Sequence, residues 1–202
     1  MYLWKGFPMG RSSKAQSEVN RAHLVHLACA LFAEHGYDAV GLEEVAVAAG
    51  QTRGAVYHHF GSKRGLFSAA LAKVQASVGD AVQAAALAES DPWEGLVAGC
   101  HAFLDAAASD GARRVMLVDG PAVLGWQEWR DGDAASSRRL LEEGLHQLGT
   151  RGDVAPDEVA ALATLLSGAM NETALWLAQE GEPVRDAAHA GLDRVLTGLR
   201  RR

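Results

Sequence analysis

Three glycines, Gly36, Gly50 and Gly61, close three successive apolar-periodic stretches, and their spacing leaves room for little except helices, two of them very short. Before Gly36, the residues Leu24, Leu27, Ala28, Leu31 and Phe32 recur at intervals of three and four. That is one face of a helix from about Gln16 to His35. Between the first two glycines a helix fits from about Leu42 to Ala49, with Val45 and Ala46 turned inward. Between the last two it fits from about Arg53 to Phe60. Glycine just past the last periodic residue supplies a left-handed cap without steric cost. Gly61-Ser62 then gives a turn and an N-cap for a fourth helix reaching about Leu87.

The rest of the chain continues in helices. In "DPWE", Asp91 caps, Pro92 takes the first helical position and Glu94 completes a capping box, so a fifth helix runs to about Ala108. A sixth carries "ARRVMLV" and breaks near Gly120-Pro121. A seventh contains Trp126 and Trp129, is interrupted at Gly132 and continues through "SSRRLLEEGLHQL". The last two span about Pro156 to Glu180 and Pro183 to Arg200. Apolar runs such as "VMLV" are too isolated to build a sheet. The expected fold is all-α with about nine helices: an arm over 1–15, a helix-turn-helix domain over 16–62 and a helical body over 63–202.

The eighth helix carries two apolar stripes. Val159, Leu162, Leu166, Met170, Thr173 and Leu177 form one; Leu165, Ala169, Glu172 and Trp176 form the other. Two stripes need two partners, the chain's own core and a second copy. The small residues Ser167 to Ala169 let helices approach closely. In the ninth helix Ala188, Gly191, Leu192, Val195 and Leu199 make a seam suited to a bundle. The alternative is that both are core helices of a monomer.

Charge divides the chain in the same way. The net charge is −6, but residues 1–73 hold eight Lys/Arg against five Asp/Glu, and the other 129 hold eleven against twenty. A basic head on an acidic body expects a polyanion partner for the head alone. Cys29 and Cys100, each inside an apolar helical pattern, read as reduced and buried, which suits the cytoplasm. The opening "MYLWKGFPMG" is too short for a secretory apolar region, and Met9 is an alternative start. No run reaches the roughly 18 apolar residues of a membrane helix.

Helix, turn and short helix over 42–60 is the arrangement that lays its second helix in a DNA major groove. Gly54, inside that second helix, weakens it by about 1 kcal/mol relative to alanine. A helix that only packs gains nothing from this; one that must press its backbone onto a duplex does. Thr52 can cap the helix and reach a phosphate, Arg53 can fork onto a guanine edge or hold a phosphate, and Tyr57 and His58 lie one turn along. A metal site on His58 and His59 fails, because neighbours on a helix point about 100° apart and no further ligands are spaced to join them. No cofactor or metal motif is present.

On these residues the stretch from Leu31 to Phe67 resembles the DNA-binding domain of the tetracycline-repressor (TetR) family. The likeness runs through Phe32, Gly36, Tyr37, Val45-Ala46, Ala49-Gly50, Thr52, Gly54, Tyr57, His59-Phe60, Lys63 and Leu66. It implies a homodimer with an N-terminal reading domain, a ligand-binding body and dimerisation through the last two helices. It also implies that Thr52, Arg53, Gly54, Tyr57 and His58 face DNA and that Lys63 clamps a phosphate. Gly41 departs from the usual Ser/Thr cap, and Gln51 replaces an apolar turn residue, so that its amide is a further candidate for DNA. Arg11 and the "SSK" stretch belong to the arm, either as a minor-groove contact or as an inert tail.

In the body, the candidates for lining an apolar, aromatic-walled cavity are Cys100, His101, Phe103, Leu104, Met116, Trp126, Trp129 and Trp176, with Asp119, Asn171 and Glu172 as polar groups. Core packing explains each of them singly as well. "VDGPAVLGWQEWR", Val118 to Arg130, suggests no chemistry of its own. Motifs for nucleophilic, metal or phosphate-binding enzymes are absent; His101 with Asp105 one turn on is the one enzymatic pair. An architectural DNA-binding protein without an effector is the other alternative.

Overall fold

All three punctuating glycines adopt the left-handed backbone their positions demand, with φ of 81° at Gly36, 64° at Gly50 and 71° at Gly61. The computed structural model describes residues 10–201, with side chains from Lys14 onward. Among the described residues there are ten helices and no strand. The head comprises α1 (Gly10–His35), α2 (Leu42–Ala48) and α3 (Arg53–Phe60), joined to the body by α4 (Lys63–Ala88). The body adds α5 (Pro92–Ala108), a composite α6, α7 (Trp126–Ala134), α8 (Ser137–Arg151), α9 (Val159–Glu180) and α10 (Glu182–Leu199). A single 3-10 turn, Pro156–Glu158, precedes α9.

Side-chain caps fix the starts of three helices. Thr52 Oγ1 accepts from the Ala55 amide at 3.2 Å, Ser62 Oγ from Gly65 at 3.0 Å, and Asp91 Oδ1 from Trp93 and Glu94 at 2.9 and 3.3 Å. Asp91 caps without the reciprocal Glu94 bond that the sequence suggested. At Gly41, which has no side chain to offer, Glu44 Oε2 accepts the Gly41 amide at 3.4 Å.

Two expected breaks are not where glycine and proline put them. Gly132 lies within α7, where a Cβ would run into the Gln75 amide of α4. Its glycine serves close packing, and the chain breaks instead at Ala135-Ser136, which makes ten helices of the expected nine. Gly120-Pro121 is likewise inside α6, which passes from Asp110–Ala112 through a wide π-helical stretch, Arg113–Asp119, to Gly120–Leu124 and ends at Gly125 with φ 83°. Pro121 has no amide hydrogen for the carbonyl five residues back, that of Met116. The Trp129 indole N–H takes that carbonyl at 2.7 Å. The helix α1 also begins at Gly10, so residues 10–15 of the expected arm are helical. Residues 1–9, with the alternative start at Met9, and the side chain of Arg11 lie outside the described ones.

Head and body share one apolar core. Phe67 of α4 meets Phe32 and Tyr37 edge-on, each at 5.1 Å between ring centroids. Leu66 and Ala70 are fully buried beside it. The first two turns of α4 therefore complete the head, and a boundary at residue 62 divides what packing joins. Polar ties reinforce this. The Tyr37 amide donates to Asp119 Oδ2 at 2.8 Å, and Arg114 donates to the Glu34 carbonyl at 2.7 Å. Arg64 reaches Glu128 at 2.6 Å and the Leu124 carbonyl at 3.1 Å. Asp119, Leu124 and Glu128, all between Val118 and Arg130, thus supply the body's side of three of these four bonds. Replacing Asp119 with alanine should speed hydrogen exchange at the Tyr37 amide at least tenfold, since a bond to a charged acceptor contributes about 1.5–3 kcal/mol. An unchanged rate would mean that this contact is not a tie.

The faces of α9 and α10 separate. On α9, Leu166, Met170, Ala174 and Leu177 are buried, while Leu165 is 68% exposed, Trp176 41% exposed, and Ala169 and Glu172 are also outside. On α10, Ala188, Leu192 and Leu196 are buried in the chain's own core and Leu199 packs partly against it. Of the expected dimer seam, Gly191 and Val195 alone remain outward on α10, because they lie about 100° around the helix from Leu192 and Leu196.

Candidate nucleic-acid interface and effector cavity

α3 is held by one side and free on the other. Val56 is fully buried, which turns Arg53, Gly54, Tyr57 and His58 outward; all four are exposed, Tyr57 by 61%. A Cβ at Gly54 would meet nothing nearer than Thr52 Oγ1 at 3.8 Å. Nothing inside the chain therefore requires glycine there. The Gln51 amide N–H closes the turn onto the Ala46 carbonyl at 2.8 Å, and its side chain is half-buried. Lys63 extends over the Tyr37 ring, 4.4 Å from its centroid, and donates to the Asp38 carbonyl at 3.1 Å. That contact uses one of three ammonium hydrogens and fixes the charge beside α3. His59 is half-buried, tilted on Phe60, and meets the exposed His58 edge-on at 5.7 Å. Among the described residues no group of three or more potential ligands could hold a metal ion.

The body contains a cavity of about 360 Å³ between α4, α5, α8 and α9. Cys100 and Phe103 line it, together with Val82, Leu96, Leu141 and Met170. Burial pushes the Cys100 thiol up to about 12, so at neutral pH it is an apolar wall rather than a nucleophile. The other candidates lie elsewhere. Leu104 and Met116 are sealed in packed core. Trp129 is buried against Gly120, Trp126 is 66% exposed, and Trp176 and Glu172 are on the outer face of α9. Asn171 is half-buried, with its carbonyl oxygen unpaired, and Asp119 is spent on Tyr37. Among the described residues no tryptophan lines the cavity, and Phe103 is its one aromatic ring.

Its polar end was not anticipated. Asp133, Ser137 and Ser167 are all buried and line the cavity. Ser137 Oγ donates to Asp133 Oδ1 at 3.0 Å, and Arg130 reaches Asp133 Oδ2 at 3.1 Å and Ser167 Oγ at 3.2 Å. Desolvation raises the Asp133 carboxyl above the usual carboxylate range, against the opposing pull of Ser137 and Arg130. Asp133 and Ser137 pair four residues apart, across the break at Ala135-Ser136.

His101 and Asp105 are not partners. His101 pairs with His189 through the two Nδ1 atoms and meets Asp193 at 2.7 Å, while Asp105 takes His189 at 3.0 Å and Arg185 at 2.6 Å. The cluster fastens α10 to α5.

A family model for the tetracyclin repressor-like C-terminal domain matches residues 93–199, more than half of the chain, and one for bacterial regulatory proteins of the tetR family matches residues 24–70. The chain belongs to the TetR family. A TetR-family regulator of known structure from Pectobacterium atrosepticum is 34% identical, with a TM-score of 0.74 over 93% of this chain and 97% of that one. The HTH-type transcriptional regulator AcrR of Shigella flexneri is 38% identical over 72 residues, 36% of this chain and 34% of AcrR. The transposon Tn10 TetC protein of Escherichia coli is 32% identical over 116 residues, 57% of this chain and 55% of TetC. The chain thus spans about a third to a half of these curated relatives. The family is one of bacterial regulatory proteins. Among the described residues no helix is long and apolar enough to cross a membrane.

Proposed function

We propose that the chain is a cytoplasmic homodimeric repressor that binds a palindromic operator through α3 and leaves it when a small apolar or aromatic molecule fills the cavity. The observation that carries the DNA half is the outer face of α3, exposed and with open space at Gly54. The outward Leu165, Ala169, Trp176, Gly191 and Val195 of α9 and α10 offer a second copy its interface. For the response, Asp133 in the cavity wall lies one turn beyond Trp129, whose indole holds Met116 in the same π-helical stretch that ties Asp119 to Tyr37. A coupling of about 2.7 kcal/mol along such ties would weaken DNA binding a hundredfold.

Gel shifts on the DNA upstream of the chain's own coding sequence test this reading. Wild type should form a specific complex, and Tyr57→Ala should weaken it at least tenfold. Lys63→Ala should weaken binding alike on specific and random duplexes and lower the slope of log K against log salt by about one. A complex indifferent to sequence would favour the architectural reading instead. One unchanged in both variants would remove α3 as the contact. Catalysis at His101 would appear as turnover lost in His101→Ala.

A further inference from the structure

The Nδ1 atoms of His101 on α5 and His189 on α10 face each other, and the groups around the two rings leave neither nitrogen a hydrogen. His101 Nε2 meets Asp193 Oδ1 at 2.7 Å, and His189 Nε2 meets Asp105 Oδ1 at 3.0 Å. An ionised carboxylate only accepts, so each Nε2 donates, and a neutral imidazole has a single hydrogen to give. Both Nδ1 atoms then carry bare lone pairs. The ring planes differ by 17° and the centroids stand 4.7 Å apart with the Nδ1 atoms in contact between them. The rings therefore meet edge to edge, and their lone pairs point along one line. Two acceptors opposed in this way repel unless a cation lies between them.

A proton is the smallest such cation, but the surrounding charge asks for more. Asp105 takes Arg185 as well as His189, at 2.6 Å, and Arg185 also holds Glu182 at 3.1 Å. With Asp193, three carboxylates meet one guanidinium and leave two negative charges, the complement of a divalent ion. A carboxylate on the far nitrogen of each ring is also the arrangement that orients histidine toward a metal. Imidazole suits zinc, copper and nickel. Donors opposed along one line take trans positions on an ion, which a square-planar or octahedral shell offers and a tetrahedral zinc shell does not. For bonds of about 2 Å the nitrogens must part to about 4 Å. That swing is open to side chains 25% and 21% exposed, which also lets water reach the remaining positions.

We propose that His101 and His189 form a two-histidine site for a divalent transition-metal ion, Ni²⁺ or Cu²⁺ in preference to Zn²⁺. Asp193 and Asp105 hold the rings in the ligating tautomer, and water completes the shell. His101 does not line the cavity, so the ion pins α10 to α5 without entering the space of an effector.

Calorimetric titration of the full chain at pH 7, stripped with EDTA and dialysed, with NiCl₂ and separately with ZnCl₂ tests it. Wild type should bind one Ni²⁺ per chain at micromolar affinity, and more tightly than Zn²⁺. His101→Ala and His189→Ala should each lose that binding. Asp105→Asn and Asp193→Asn, which keep both ligands, should weaken it about ten- to a hundredfold. Melting curves without metal check that the variants fold. Should a histidine variant fail to fold, NMR of wild type carries the test: paramagnetic Ni²⁺ should broaden the His101 and His189 ring protons before those of the other histidines. No Ni²⁺ binding at millimolar concentration, binding kept in both histidine variants, broadening that starts at other histidines, or Zn²⁺ as the tighter ion overturns the inference.

Discussion

Gly54→Ala should leave the protein as stable as wild type, or more so, and weaken specific DNA binding at least tenfold; Gly54→Leu should weaken it more than a hundredfold. An added Cβ has only Thr52 Oγ1 near it, at an ordinary contact distance of 3.8 Å, so the folded chain accepts it. Alanine is worth about 1 kcal/mol over glycine inside a helix, so thermal unfolding should move upward by a few degrees. On a DNA-bound face the same methyl stands between backbone and sugar-phosphate, and a shift of even a few tenths of an ångström loosens hydrogen bonds on either side. Melting curves and gel shifts on one preparation separate the two effects. Binding that is unchanged by leucine would show that the Gly54 backbone touches nothing.

Gly65→Ala, eleven residues on, should do the reverse and act through folding. A Cβ at Gly65 would overlap the Phe60 carbonyl oxygen, a backbone atom at the end of α3 that cannot swing aside as a side chain can. Relief requires opening the turn in which Gly61 sits left-handed and Ser62 caps α4. Overpacking against a backbone atom falls at the upper end of the usual range, about 3 kcal/mol, which outweighs the roughly 1 kcal/mol of helix propensity gained. The net loss of about 2 kcal/mol should lower the melting temperature by about 4–8 °C. DNA binding should fall with it, because the turn sets α3 against α4. Destabilisation without loss of binding would mean that α3 keeps its place through the apolar contacts of Val56 alone.

These two glycines show what a sequence makes legible. Gly54 stands out because it contradicts the propensity of the short helix around it, so a local rule is broken where nothing local gains. Gly65 is silent: it occupies the first turn of a long helix, and the atom it must avoid belongs to another element. The helical caps at Thr52, Ser62 and Asp91 were readable for the first reason, since a cap is settled within three residues. The head–body ties were not, with Tyr37 and Asp119 separated by 82 positions and Arg64 and Glu128 by 64. Pattern also misplaced the cavity. Tryptophans suggested its walls, but Trp129 is spent on the Met116 carbonyl and Trp126 lies outside, while the glycine that seemed to break α7 in fact lets it close on Gln75. The seam on α10 mixed two faces, because intervals of three and four do not say which neighbour lies on which side.

Hydrogen exchange across the head, followed with and without an operator duplex, is the most direct test of the account. The amides from Thr52 to His58 should slow at least tenfold on the specific duplex and by much less on a scrambled one of equal length and salt. If they exchange unchanged while the protein is demonstrably bound, some other surface holds the DNA.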